Sequence, residues 1–174
     1  MKLEELGRID VDSFKESQKI PIVIVLDNLR SGMNVGAFFR TSDAFKVERV
    51  ILCGITPRPP HREILKTAIG SNASVDWSYK EKISDALKSL IEDDYVVLGI
   101  EQTDRSVSLP EYEVNTSVKY ALVFGNEVEG LSPETLPSLD DAIEIPQFGT
   151  KHSLNVAVCG GIVIWHFAHP FLAD

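Results

Sequence analysis

Hydrophobic residues along this chain fall into short, unbroken runs bounded by glycine, proline or charged residues. The first run, PIVIVLD at 21–27, is rich in β-branched residues and is typical of a strand buried on both faces of a sheet. Similar runs follow at 49–54, 95–100, 120–125 and 142–147, and VDW at 75–77 is a possible further strand. The pattern therefore predicts a sheet built mainly from buried strands.

Between the strands, apolar residues recur at helical spacing. EKISDALKSLI places Ile83, Leu87, Leu90 and Ile91 at i, i+4, i+7 and i+8, which gives one apolar helix face. Other predicted helices are VGAFFRTSDAF at 35–45, HREILKTAIG at 61–70 and SPETLPSL at 132–139, the last with Ser132 as its N-cap.

Because strands alternate with helices, the chain is expected to form a single α/β domain around a parallel sheet. This domain is assigned to residues 21–174. Residues 1–20 are expected to be an N-terminal extension that packs on the domain.

A polar cluster directly precedes the last apolar run. Lys151, His152, Ser153 and Asn155 lead into the segment 154–167, whose length favours a buried helix capped by Ser153 over a strand. One capping residue is enough to begin a helix. Four polar groups in this position therefore indicate a further role.

Polar sequence also follows the predicted strands. In an open parallel sheet, ligands bind beyond the carboxyl ends of the strands. Four strands end in small, polar or glycine-rich segments, namely DNLRSGMN at 27–34, EQT at 101–103, GNEVEG at 125–130 and QFGTKHSLN at 147–155. Because these ends meet at one edge of the sheet, they predict a binding site there.

The composition is that of an ordinary globular protein, with 44% hydrophobic and 25% charged residues in a chain of 174. Cys53 and Cys159 lie in apolar stretches without metal-ligand spacing, which favours buried thiols in a reducing compartment. The acidic start of the chain lacks a signal-peptide pattern, and the run 154–167 is too short to cross a bilayer. A soluble, cytoplasmic protein is expected.

The charge is unevenly distributed. A formal net charge of −9 argues against nonspecific binding to nucleic acid, because such binding rests on clustered lysine and arginine. Between Arg30 and Gly70, however, there are seven basic and three acidic residues, a net charge of +4. This stretch is either a solvated face or a localised anion site.

Several familiar chemistries lack their motif in this sequence. There is no GxxxxGK[ST] loop for a nucleoside triphosphate, residues 125–130 do not match GxGxxG, and no GxSxG surrounds Ser153. The four histidines are scattered along the chain, so no metal site is expected.

Three stretches together resemble the three motifs of the SpoU/TrmH-type RNA 2′-O-ribose methyltransferases, which belong to the SPOUT superfamily. They are NVGAFFRT at 34–41, LVFGNEVEGL at 122–131 and IPQFGTKHSLNVAV at 145–158. The resemblance covers residues 21–168. It implies an α/β domain with a C-terminal trefoil knot, an S-adenosylmethionine cofactor, a homodimer, and an RNA substrate without metal or membrane.

The resemblance also implies residue roles. The catalytic residues would be Arg40, Asn34, Glu127, Ser153 and Asn155. The cofactor-binding residues would be Ile100, Glu101, Gly125, Asn126, Ile145, Gln147, Ser153 and Leu154. The RNA-binding residues would be Arg30, Arg40, Arg58, Arg62 and Lys66.

Simpler roles remain open for several of these residues. A guanidinium stays protonated, so Arg40 is expected to bind the substrate phosphate and hydroxyl instead of acting as a free base. Asn34 and Ser153 could each be a helix N-cap, and Glu127 could be a solvated acid in a turn. A cap can also line a pocket, so the two roles are compatible.

Three departures from the family pattern occur: Asn126 where many members have serine, Gln147 where methionine is common, and Lys151-His152 before Ser153. None of them removes a catalytic position. The compact form favours tRNA over rRNA as the substrate. The alternatives are a non-catalytic RNA- or nucleotide-binding module with the same fold, and an unrelated small-molecule α/β enzyme.

Overall fold

A computed structural model of the chain describes residues 9–150 and 153–173. Lys151, His152 and the first eight residues of the expected N-terminal extension therefore lie outside the described residues. The strands of the described part are β1 Ile20–Asp27, β2 Val47–Cys53, β3 Asp76–Lys80, β4 Tyr95–Ile100, β5 Val107–Ser108, β6 Lys119–Phe124 and β7 Asp141–Glu144. They form one parallel sheet in the order β3-β2-β1-β6-β4-β7-β5, which confirms the predicted α/β class.

The helices pack on both faces of this sheet. They are α1 Val11–Glu16, α2 Gly32–Ala44, α3 Arg62–Ala68, α4 Ser71–Ser74, α5 Ile83–Glu92 and α6 Val156–Leu172, with short 3-10 turns at Leu109–Glu111 and Leu136–Ser138. Alternate residues of β1 point into two separate cores. Ile24 packs with residues of α2 and α6 on one face, whereas Val25 packs with residues of α5 on the other.

The C-terminal helix α6 is held tightly against α2. A Cβ added at Gly160 would lie 2.3 Å from the ring of Phe38, so only glycine permits this approach. Phe167 is fully buried in the core, whereas Trp165 on another face of α6 is half exposed and packs on Phe45 at 5.4 Å between ring centroids. This packing places the first residue of α6 beside the first turn of α2.

Helix ends differ from the predictions in three places. Ser31 caps α2, so Asn34 lies inside the first turn and is not the cap. Asn155 caps α6 instead of Ser153. The predicted helix at 132–139 is a turn followed by one 3-10 turn, because the Ser132 hydroxyl bonds the Thr135 hydroxyl at 3.0 Å instead of capping a helix, and Pro137 has no backbone N–H.

Strand boundaries and the buried face of one helix also differ from the predictions. The last predicted strand ends at Glu144, not at residue 147, and the short strand β5 beside it was not predicted. β3 extends to Lys80, beyond the predicted 75–77. In α5, Ile83, Leu87 and Leu90 are buried as predicted, but Ile91 is exposed.

Candidate active site

A cavity of about 520 Å³ opens beyond the carboxyl ends of β4, β6 and β7, beside the start of α6. Its lining includes all eight residues for which sequence analysis predicted a cofactor role: Ile100, Glu101, Gly125, Asn126, Ile145, Gln147, Ser153 and Leu154. Glu127 and Asn155, which were predicted to be catalytic, line the same cavity. Three of the four predicted strand ends therefore form a concavity, whereas no residue of the fourth, at 27–34, lines it.

The loop that follows β6 forms one wall of the cavity and is closed on itself. The backbones of Asn126 and Gly130 exchange two hydrogen bonds, of 2.8 and 3.0 Å. A Cβ at Gly125 would come within 2.2 Å of the Gly130 backbone, and Gly130 itself has a φ of +72°. Both positions therefore require glycine, the first for close approach and the second for its left-handed conformation.

The side chain of Asn126 fastens this loop to β1. Its amide nitrogen donates to the backbone oxygen of Asn28 at 2.7 Å, and its amide oxygen accepts from the backbone N–H of Val128 at 2.8 Å. Asparagine at this position thus has both a donor and an acceptor in use, which gives a physical reason for the departure from serine.

Glu127 joins the loop to the start of α2. Its carboxylate accepts hydrogen bonds from the backbone N–H groups of Arg30 at 2.9 Å and Ser31 at 3.1 Å, and from the side-chain amide of Asn34 at 3.0 Å. A carboxylate is favoured beside the N-terminal end of a helix. Glu127 is therefore a positioned acceptor and not a free acid in a turn.

These contacts lower the pKa of Glu127. Partial burial acts in the opposite direction and raises it, but hydrogen bonds from the backbone of Arg30 and Ser31 and from Asn34 outweigh that effect. The group is therefore ionised at neutral pH and keeps its acceptor role.

Asn155 connects the same network to α6. Its amide nitrogen donates to the side-chain oxygen of Asn34 at 3.2 Å, while its own oxygen caps α6 by accepting from Ala157 at 2.9 Å and Val158 at 3.3 Å. The chain Glu127, Asn34 and Asn155 thus links three motifs that are far apart in sequence. The capping and pocket-lining roles coincide in Asn155, as sequence analysis allowed for such residues.

Asp27 lies among the polar residues predicted at the strand ends, but no individual role was predicted for it. Its side chain is fully buried, and one carboxylate oxygen accepts from the backbone of Ser132 at 3.0 Å and the hydroxyl of Thr135 at 2.9 Å. The other oxygen accepts from the amide of Asn28 at 2.8 Å. Asp27 therefore fixes the far end of the loop that walls the cavity. The signal for this role in the sequence was a carboxylate residue at the end of an apolar strand.

Arg40 lies outside this cavity. It is exposed on α2, and it lines a separate groove of about 580 Å³ together with Phe45 and Lys66. The structure therefore brings together Arg40 and Lys66, but within one protomer it does not bring Arg40 to Glu127.

The other predicted RNA-binding residues are also exposed. Arg30 contributes its backbone N–H to Glu127, and Arg62 begins α3. The guanidinium carbon of Arg58 lies 4.0 Å from the centroid of the Tyr79 ring. None of these residues lines the 520 Å³ cavity.

Within residues 9–150 and 153–173, no group of three or more histidine, cysteine, aspartate or glutamate side chains is arranged to hold a metal ion. None of the helices in these residues has the length and apolarity that a membrane span requires.

Comparisons with known proteins agree with this geometry. Residues 21–165 match the SpoU rRNA Methylase family. The 23S rRNA (guanosine-2′-O-)-methyltransferase RlmB of Neisseria meningitidis is 30% identical over 153 residues, which cover 88% of this chain and 60% of that protein. The tRNA (guanosine(18)-2′-O)-methyltransferase of Aquifex aeolicus is 29% identical over 156 residues, covering 86% and 70%.

A solved structure of a similar protein has the same fold. The crystal structure of an AdoMet-bound rRNA methyltransferase from Sinorhizobium meliloti superposes with a TM-score of 0.81 at 26% identity, over 92% of this chain and 61% of that one. The chain thus spans about three fifths of the length of the RlmB and Sinorhizobium proteins.

Proposed function

The chain belongs to the SpoU rRNA Methylase family, and on this premise we propose that it methylates a ribose 2′-hydroxyl in RNA with S-adenosylmethionine as the methyl donor. The observation that carries the proposal is the 520 Å³ cavity, because it collects every residue for which a cofactor role was predicted from sequence. Its volume lies in the range of about 300–1,000 Å³ that is usual for small-molecule sites.

The chemistry of the cavity wall fits this cofactor. Ile100, Ile145 and Leu154 offer apolar surface for an adenine ring. The carboxylates of Glu101 and Glu144 suit a ligand that carries a sulfonium and an ammonium group. When bound, S-adenosylmethionine supplies a methyl carbon that bonds to the ribose 2′-oxygen as its bond to sulfur breaks, while the hydroxyl proton passes to a substrate phosphate or water.

The protein's own contribution is alignment. Glu127, Asn34 and Asn155 fix the loop after β6 and the starts of α2 and α6 in one arrangement. A wall that is already ordered before the substrate arrives loses less entropy in the reaction. Arg40 binds the substrate phosphate and hydroxyl, which favours loss of the hydroxyl proton without a free guanidine base.

Arg40 performs this role in a homodimer. An apolar stripe of exposed α6 residues, Val158, Ile162 and Trp165, is available for burial against a second copy. Trp165 packs on Phe45, which lines the Arg40 groove, so the stripe and the groove are neighbours. Contact between two stripes would carry Arg40 of one protomer toward the cavity of the other. Phe167 of the same helix is buried in the protein's own core and is not available for this contact.

Other parts of the proposal rest on family membership. The C-terminal part of the chain is proposed to form the trefoil knot, and the protein to act in the cytoplasm. The substrate is tRNA or rRNA, because similar proteins are named as enzymes that act on each; the expectation of tRNA stays a prediction that the assay below tests.

The proposal is tested by methyl transfer from labelled S-adenosylmethionine to unmodified total tRNA and, separately, to rRNA, followed by mapping of 2′-O-methyl sites. Label at one 2′-O position in either pool supports the function. Wild-type protein that binds the cofactor but labels neither pool would leave the non-catalytic binding module as the better account.

A further inference from the structure

A second concave surface lies at the other end of the same sheet edge. The loop 54–60 and the side chains of Trp77 and Tyr79 on β3 enclose a groove of about 740 Å³. Trp77 and Tyr79 are two residues apart on one strand, so they face the same side of the sheet. Trp77 is 37% exposed although it is a large aromatic residue. The groove thus displays aromatic surface that the fold itself does not bury.

The aromatic side chains in this groove are held in place. The Tyr79 hydroxyl donates to the backbone oxygen of Gly54 at 3.1 Å, and the Trp77 ring contacts Phe39 edge-on, with 6.4 Å between centroids. Arg58 lies over the Tyr79 ring, with its guanidinium carbon 4.0 Å from the centroid. A cation over a tyrosine face is attracted by the ring electrons, which restricts the motion of an otherwise exposed side chain.

Arg58 is oriented by an aromatic ring and not by an acid. Within residues 9–150 and 153–173, no carboxylate lies within 4.0 Å of its guanidinium. Arg58 is exposed, and its side-chain N–H groups have no described hydrogen bond, so they are available to a ligand. An aromatic ring together with a flat, unneutralised guanidinium is the combination that stacks unpaired bases of single-stranded nucleic acid.

Further cations continue from this groove toward Arg40. Arg58, Arg62 and Lys66 follow one another at intervals of four residues, so Arg62 and Lys66 share one face of α3. Lys66 lines the same groove as Arg40. Within 54–66 the one carboxylate is Glu63, so this surface carries positive charge in a chain whose net charge is negative. The charge suits a phosphate backbone.

The groove is also tied to the candidate active site. The backbone N–H of Ile55 donates to the side chain of Asn28 at 3.1 Å, and the hydroxyl of Thr56 bonds to the backbone of Leu26 and Leu29, each at 3.1 Å. Leu29 directly precedes Arg30, whose N–H holds Glu127. Occupation of the groove would therefore place a ligand one loop away from the residues that order the cavity.

We propose that this groove stacks an unpaired base of a single-stranded RNA segment, and that the flanking phosphates run along Arg62 and Lys66 toward Arg40. The inference rests on the proposed function, since it names how that substrate is gripped at a distance from the methylated ribose. The site would make the enzyme select a target nucleotide that lies next to unpaired RNA.

Fluorescence of Trp77 gives a direct test. The chain has two tryptophans, so a Trp165→Phe variant, which keeps an aromatic ring against Phe45 and is compared in mass with wild type by light scattering, reports Trp77 alone. An unstructured RNA of about ten nucleotides should quench its emission. An abasic oligonucleotide of the same length and charge should quench it much less, because it retains the phosphates and lacks the bases. Equal effects of the two probes, or no quenching by either, would overturn the proposal.

Three variants sharpen the result. Arg58→Ala should weaken binding of the RNA about fivefold or more and flatten its salt dependence. Arg58→Lys keeps the charge and loses the flat stacking surface, so it should weaken binding while leaving the salt dependence unchanged. Lys88→Ala removes a cation of α5, which packs on the opposite face of the sheet from Tyr79, and should change neither quantity. Wild-type affinity in Arg58→Lys would contradict the stacking role.

A separate measurement of methyl transfer distinguishes failure of the groove proposal from failure of the proposed function. Base-dependent quenching in a protein that labels no RNA would overturn the proposed function and leave the groove as an RNA site. Full methyl transfer with an unchanged KM for RNA in Arg58→Ala would overturn the groove and leave the function intact.

Discussion

The loop that walls the cavity and the helix that carries the cations are stabilised in opposite ways. In the loop after β6, Asn126 and Glu127 each have their side-chain polar atoms paired with groups of the protein. In α3, Arg62 and Lys66 are exposed, and within the described residues no carboxylate lies within 4.0 Å of either cation. The first region is ordered by its own chain, whereas the second presents charges that only an outside partner can neutralise.

This difference separates the two halves of the proposed reaction. Under the proposed function, the cofactor half is formed by walls, hydrogen bonds and glycine turns of one chain. The substrate half, with Arg40 in a separate groove, is proposed to be completed by RNA and a second protomer. Substitutions around the cavity should therefore lower cofactor affinity, whereas substitution of Arg40 should lower methyl transfer and leave cofactor affinity unchanged.

The largest expected effect is on the substrate side. Arg40→Ala should lower methyl transfer about 100-fold or more, because a charge-assisted contact at the reacting group is lost. Its affinity for S-adenosylmethionine should stay within about twofold of wild type, since Arg40 does not line the cavity. Calorimetry and a methyl-transfer assay on the same sample measure both quantities. Wild-type turnover would rule out the role assigned to Arg40.

The next effect is on the cofactor side. Gly125→Ala adds a Cβ that would lie within 2.2 Å of the Gly130 backbone, so the loop must open. We expect this overpacking to destabilise the protein by about 1–3 kcal/mol, and to lower its affinity for S-adenosylmethionine because the displaced loop is a wall of the cavity. Gly149→Ala is the matched control, because its Cβ meets nothing within 4 Å. Equal affinities of the two variants for S-adenosylmethionine would contradict the closed loop.

A smaller effect is expected at Glu127. Glu127→Gln replaces a carboxylate that accepts three hydrogen bonds. The free energy of unfolding should fall by about 1 kcal/mol, a modest value because the side chain is partly solvated. Glu129→Gln makes the same change of charge in the same turn, and its carboxylate has no described hydrogen bond, so the stability of this variant should match that of wild type. Urea denaturation of wild type, Glu127→Gln and Glu129→Gln measures the three free energies of unfolding, and equal values for the two variants would contradict the role of Glu127.

The smallest effect is its pH dependence. The pKa of Glu127 is lowered from its ordinary value of 4.5, so its contribution is fully present above pH 4.5 and is lost as the pH falls through the folded-state pKa. The stability difference between wild type and Glu127→Gln should therefore be constant at neutral pH and shrink under acid. A difference that grows on acidification would mean that the carboxylate is not stabilised as described.

The fold class and the edge of the sheet at which the cavity lies followed from the hydrophobic pattern for an identifiable reason, whereas the individual lining residues were predicted from the family resemblance. Buried strands give unbroken apolar runs, and their carboxyl ends share one edge, so GNEVEG and the residues after Ile145 had to meet there. Helix starts were harder to predict. Ser31 and Asn155 are caps because α2 and α6 begin where Glu127 and Asn34 can be bonded, and those partners are 93 to 121 residues away in sequence.

Tertiary contacts also explain what the sequence did not reveal. Asp27 looked like the end of a strand, and its role depends on Ser132 and Thr135, more than 100 residues later. Arg40 lies in the motif that contains Asn34, yet α2 carries it two turns away to another groove. Nothing in the local pattern distinguishes a residue of the cavity from one that must act elsewhere.

Separation of the two protomers tests the central claim most directly. A Val158→Glu/Ile162→Glu variant places charges on the exposed stripe of α6, and glutamate at the third helical position after the Asn155 cap is compatible with the helix. Light scattering should show a wild-type dimer and a folded monomeric variant. Calorimetry should show that the monomer keeps its affinity for S-adenosylmethionine while methyl transfer is lost. A monomer that methylates RNA at the wild-type rate, or a folded monomer that no longer binds the cofactor, would contradict the division of the site into a self-contained cofactor half and a substrate half completed by the second protomer.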